Sequence, residues 1–144
     1  MPADLDPRAL MQAQPTAALG TLMDGAPYVS LVLVAFDADG SPLLLLSRLA
    51  QHTKNLLADP RVSLLFDGTG GLEERLTGPR LTVIGAITPC TDPSALARYV
   101  ERHPSAQTYA GFSDLNLYQV TIARGHYVAG FGKIRWIDAM FLLQ

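Results

Sequence analysis

Between Ser47 and Asn55 the chain reads SRLAQHTKN. Within eight residues, 47–54, this segment gathers two hydroxyls, one guanidinium, one imidazole and one ammonium. It joins the end of an apolar run to the start of a predicted helix. Backbone N–H groups at a helix start lack intrahelical acceptors and carry partial positive charge. Ser47, Arg48, His52, Thr53 and Lys54 placed there suit a phosphate: arginine grips two oxygens, lysine supplies a point charge, and hydroxyls donate hydrogen bonds. The same residue types also cap helices or cover an ordinary surface, and composition leaves both readings open. Neither GxxxxGK[ST] nor GxGxxG accompanies the segment, which argues against a nucleotide held on a parallel sheet.

Two further places could carry chemistry. Arg80 opens an apolar run after a glycine-rich stretch and is either a second anion contact or a solvated strand end. The tail GFGKIRW, residues 130–136, brackets Phe131 with glycines and then brings Lys133, Arg135 and the single tryptophan, Trp136. Glycine permits close backbone approach, and tryptophan and arginine favour stacking and interfaces; a core tryptophan beside a solvated basic pair is the competing reading. No GxSxG elbow is present. Cys90, the only cysteine, has no histidine near it in sequence and reads as an inert thiol. His52, His103 and His126 lack metal-ligand spacing, so no metal site is expected. His103 suits a helix end, and His126 is either structural or a haem ligand.

The elements that must position these residues are short. Residues 4–14 read as a helix stopped by Pro15. Residues 16–23 and 28–36 read as strands joined at Asp24-Gly25, a strong hairpin signal. Residues 42–47 form a third strand, apolar without alternation and so covered on both faces. A helix over 51–58 closes at Asp59-Pro60, and a fourth strand covers 62–67. Residues 68–79 read as an exposed, mobile loop, and 80–88 as a fifth strand. Asp92-Pro93 opens a helix running to about His103. Residues 115–123 and 126–131 are predicted as a sixth and a seventh strand turning at Gly125, and 132–144 shows no clear pattern. The expected class is α+β, mainly antiparallel β: one domain over residues 1–144, with six to seven strands curled into a barrel and two to three flanking helices.

Composition narrows the function. Charged residues make up 17% of the 144, and hydrophobic residues 49%. So few charges predict surface hidden in an oligomer. A net charge of -2 supplies no general field for nucleic acid. No apolar run approaches the roughly 18 residues that span a bilayer, and the opening MPADLDPR lacks a basic segment followed by an apolar one. A cytoplasmic protein without nucleic-acid or membrane partners is expected.

The order PYVSLVLVAFDADG, LLLLSRLAQHTKNLLADPRVSLLF, a strand at 78–87, ARYVERHP and VAGFGKIRW resembles the pyridoxamine 5′-phosphate oxidase-like proteins with the FMN-binding split barrel. Within them it looks closest to the branch of the haem-utilisation proteins. The resemblance runs from about residue 6 to 137. It implies a split β-barrel homodimer with two FMN sites at the subunit interface. Ser47 and Arg48 would end the strand approaching the flavin phosphate. His52, Thr53 and Lys54 would fall on the segment that holds it. Ser30 stands where the oxidases carry arginine. Leu31 and Val32 would offer backbone to the isoalloxazine ring. Arg80 stands where the oxidases have glutamine, and Lys133, Arg135 and Trp136 would approach from the partner subunit. The implied function is an FMN-dependent oxidoreductase acting on an unidentified small molecule, with no side chain required as acid or base. The alternative is a flavin- or haem-binding carrier or sensor without turnover.

Overall fold

The computed structural model describes residues 6–144; the start of the helix predicted over 4–14, including Leu5, lies outside them. Three α-helices, α1 (Pro7–Ala13), α2 (Gln51–Ala58) and α3 (Pro93–Arg102), flank eight strands. The strands are β1 (Thr16–Met23), β2 (Ala26–Leu33), β3 (Ala35–Phe36), β4 (Pro42–Ser47), β5 (Arg61–Asp67), β6 (Arg80–Pro89), β7 (Leu115–Gly130) and β8 (Lys133–Asp138). They pair antiparallel in the order β2-β1-β5-β6-β7-β4-β3, and β8 joins the same edge of β7 beyond β4. The sheet curls until β2 comes against β4, with no ladder between them among the described residues. This is the expected mainly antiparallel split barrel. No helix among the described residues is long and apolar enough to cross a membrane.

Local chemistry explains the elements that sequence reading placed well. Asp24 and Gly25 both have positive φ, 52° and 83°, as a two-residue hairpin turn requires. Asp92 caps α3 by accepting from the Ser94 amide, with Pro93 in the first turn. His103 ends that helix, and its Nε2 donates to the Val34 carbonyl at 2.8 Å. Leu19, Leu64, Phe66, Leu81 and Val83 alternate inward along β1, β5 and β6 to fill the barrel.

Three expectations change. The strand predicted over 28–36 breaks at Val34, whose N–H turns to the Pro15 carbonyl while its own carbonyl serves His103. The chain thereby leaves the β1 ladder and enters β3 against β4. Gly125 makes no turn: β7 runs through it, so the predicted strands at 115–123 and 126–131 are one. A side chain at Gly125 would meet Leu142 and Leu81 at about 3 Å, so this glycine makes room for the core. The turn lies at Phe131-Gly132, where Gly132 has φ 73°, and the residues beyond it form β8 and a 3₁₀ turn, Ala139–Phe141, before Leu142 re-enters the core.

The loop at 68–79, expected to be mobile, is anchored. The Asp67 carboxylate accepts from the Thr69 amide and hydroxyl and from Arg75. Those bonds, with Thr69 first, hold the Asp67 carboxyl below its usual range.

The pairing of β6 with β7 shifts between Ile84 and Gly85. A Cβ built on Gly85 would lie 2.1 Å from the Thr121 carbonyl oxygen, which is backbone and has little freedom to move. Gly85→Ala should therefore lower stability by about 1–3 kcal/mol, the usual cost of forced overpacking. Urea unfolding checks this, and an unchanged midpoint would show that the ladder yields there.

Candidate functional site

The segment singled out by sequence occupies the corner where β4 ends and α2 begins. The Ser47 hydroxyl donates to Asp114 Oδ2 at 2.9 Å and accepts from the Leu49 amide at 3.0 Å. The Arg48 amide donates to the Asp114 carbonyl at 2.7 Å. Asp114 thus pins the corner from the far side of the chain. The N-cap of α2 is Ala50, which supplies no side-chain oxygen. The Gln51 and His52 amides have no acceptor among the described residues. Arg48 and Lys54 are exposed, and their side chains have no hydrogen-bond or ion-pair partner among the described residues.

One side of α2 rests on β1 and β2 through polar contacts. Gln51 donates to Asn55 at 2.8 Å, and Asn55, buried, donates to the Thr21 hydroxyl at 3.0 Å. Ser30 Oγ and His52 Nδ1 share a 2.9 Å hydrogen bond. Half-burial of the ring removes hydration and lowers the His52 pKa below its ordinary value near 6.5. The neutral ring is therefore the resting form at neutral pH. Thr53 is fully buried, and its hydroxyl has no hydrogen-bond partner among the described residues.

The remaining predicted residues stand apart. Val32 points into the core, whereas Leu31 is 76% exposed on the outer face of edge strand β2. The Arg80 guanidinium donates to the Leu76 and Gly78 carbonyls and so holds the anchored loop. Lys133, Arg135 and Trp136 lie on β8. Trp136 packs against His126, with ring centroids 4.5 Å apart and planes tilted by 55°, and carries the Arg124 guanidinium 4.2 Å above it. Arg135 lies over the Tyr127 ring.

Register relates the two groups. Leu31, Ala18, Leu65, Thr82, His126 and Trp136 are successive neighbours across the sheet and share its outer face. Five interstrand steps at about 4.8 Å place Trp136 roughly 24 Å along the sheet from Leu31. One chain therefore brings Ser30, Ser47, Arg48, His52, Thr53 and Lys54 together, and leaves Lys133, Arg135 and Trp136 at the other side. Between them the outer face is largely apolar, with Val29, Leu31, Leu65, Ile84 and Ile134 exposed. It is hollowed at Gly20, Val29 and Ser63 by a cavity of about 460 Å³.

Sequence reading missed Asp114, Asn55 and Arg124. Asp114 sits in an irregular stretch and gives no local signal. Asn55 was visible as a polar residue on the inner side of a short helix, three positions after His52. Arg124 precedes His126 by two, which on a strand means the same face.

Residues 7–129 match the pyridoxamine 5′-phosphate oxidase family. The chain belongs to this family. Among its relatives, the non-canonical heme oxygenase HOZ, a chloroplastic protein of Arabidopsis thaliana, is 40% identical over 110 residues, covering 74% of this chain and 33% of that protein. A heme binding protein from Mycobacterium smegmatis superposes with a TM-score of 0.88 at 24% identity, covering 99% of this chain and 60% of that one. The protein Atu2129 from Agrobacterium tumefaciens superposes with a TM-score of 0.83 at 29% identity, covering 95% of this chain and 58% of that one. The chain thus spans a third of the curated relative it matches and under two thirds of these two structures. The structural likeness to the Mycobacterium protein fixes the split-barrel fold of this family member.

Proposed function

We propose that the protein is an FMN-binding oxidoreductase that holds the flavin between two copies of the chain. The observation that carries this reading is the corner at α2: two unpaired cations, Arg48 and Lys54, beside a helix start with no side-chain cap. That donor set fits a phosphate dianion. Family membership supports a flavin as its bearer. FMN, when bound, supplies the electron-accepting ring and the hydride chemistry. The chain supplies charge at the phosphate through Arg48 and Lys54, and orientation through the Gln51 and His52 amides. The β2 backbone beside Leu31 offers an edge for the ring. The substrate class is a small molecule, and no side chain is assigned as its acid or base.

A second copy of the chain completes the arrangement. An outer face with Val29 69% and Leu31 76% exposed is costly in water for a chain with 17% charged residues. A two-fold partner laid on that face would cover it and bring Lys133, Arg135 and Trp136 of its own β8 toward the α2 corner. This contact also accounts for residues that one chain holds roughly 24 Å apart.

A haem-binding role is the second reading. The 40% identity with a protein named a heme oxygenase favours it. The group to ligate iron would be His126, half-buried between β6 and β8 and in tilted contact with Trp136.

Three measurements follow. The double variant Arg48→Ala, Lys54→Ala should lose at least ~100-fold in FMN affinity, equivalent to ~2.7 kcal/mol; unchanged affinity by fluorescence titration would remove the phosphate assignment. Leu31→Glu should shift the protein from dimer to monomer in analytical ultracentrifugation and weaken FMN binding with it, and a monomeric wild type would refute the shared site. The purified protein should show flavin absorbance near ~450 and ~370 nm. A Soret band that disappears in His126→Ala would instead establish the haem reading.

A further inference from the structure

The hydroxyls around the α2 corner are either engaged or enclosed. Ser47 donates to Asp114, and Ser30 is engaged with His52. Thr53 is enclosed without exposed surface. Arg80 is spent on the Leu76 and Gly78 carbonyls. Of the predicted phosphate ligands, the side-chain donors left over are Arg48, Lys54 and one ring nitrogen, Nε2 of His52. Its other nitrogen, Nδ1, faces Ser30, which fixes the ring on the first turn of α2. Nε2 has no hydrogen-bond partner among the described residues.

We propose that His52 is a proton-gaining ligand of the phosphate group, neutral in the free protein and an imidazolium when FMN is bound. This rests on the flavin reading above. The Ser30 hydroxyl makes the change possible without breaking a contact. Facing the neutral ring with its proton on Nε2, Ser30 donates to Nδ1. Facing the imidazolium, it accepts from Nδ1–H by rotating its own hydrogen. The proton comes from solvent and nothing else changes covalently.

The surroundings decide the direction of the coupling. The strands that α2 packs against, β1 and β2, hold no carboxylate and no basic residue, and Tyr28 is their one titratable side chain. Asp24 sits in the turn beyond their ends. On the helix and its approach are Lys54 and Arg48, both cationic, and Asp114, held by Ser47. Asp59, at the far end of α2, is paired with Arg61 at 2.6 Å. Half-burial opposes charge on His52 in the free protein. A phosphate dianion reverses that balance and raises the pKa of the ring. By linkage, FMN then binds more tightly as pH falls toward the free-state pKa, and a fraction of a proton is taken up on binding.

The test is FMN affinity at pH 8.5, 7.5 and 6.5 for the wild type and for His52→Asn. Over this range the phosphate stays mainly dianionic, since its second pKa is about 6. Asparagine keeps a polar atom near the Nδ1 position but cannot titrate. The wild type should bind at least ~5-fold more tightly at pH 6.5 than at pH 8.5, and the variant less than ~2-fold. Calorimetry of the wild type in two non-phosphate buffers of different ionisation enthalpy should show net proton uptake at pH 7, which needs no variant to fold. Tight FMN binding with equal pH slopes in both proteins, or with no proton uptake, would overturn the role of His52 while leaving the flavin reading intact. No FMN binding at any pH would overturn both.

Discussion

β7 is hydrogen-bonded along one edge to β6 and along the other first to β4 and then to β8. Its sixteen residues therefore set the register of the barrel wall, of the strand that leads into the α2 corner, and of the strand that carries Trp136. Strand periodicity does the rest. Once β7 is in register, each residue on β6, β5, β1 and β2 is assigned to the barrel interior or to the outer face. The inner set is the core around Leu19, Leu64, Phe66, Leu81 and Val83. The outer set is the row from Leu31 to Trp136. The interruption of the β6–β7 ladder, between Ile84 and Gly85, is tolerated because Gly85 lets the two backbones close together.

The fold was legible where the information is local. Asp24-Gly25, Asp59-Pro60 and Asp92-Pro93 each encode a turn or a helix end by restricting their own φ and ψ, so the elements on either side followed. It was less legible where a glycine or a break answers a distant residue. Gly125 looks like a turn in sequence, but its small size serves Leu81 and Leu142. Val34 sits in an unbroken apolar run, yet its backbone is claimed by Pro15 and His103. β8 was unreadable because its pairing with β7 places Ile134 and Trp136 on an open face, where the usual alternation of apolar inside and polar outside does not hold.

The site divides in the same way. Residues 47–54 could be read together because they are contiguous and surround a helix start. Cross-strand partners could not: neither the Ser30–His52 bond nor the Asp114 clamp on Ser47 leaves any trace in spacing. These bonds matter to the chemistry, because they take up hydroxyls that composition alone would assign to the ligand. The burial of Thr53 has the same effect.

The partnership of β4 with β7 also sets a schedule for the chain as it is made. Leu43 pairs with Gln119 and Ser47 with Leu115, so β4 waits roughly 70 residues for its neighbour. At about 5–20 residues per second, synthesis leaves the Pro42–Leu46 run without that neighbour for about 4–14 seconds. The β1–β2 and β5–β6 hairpins have their partners close by and close early. An apolar strand with that edge unpaired for so long is open to wrong pairing, and the barrel is sealed only when the last quarter of the protein has emerged.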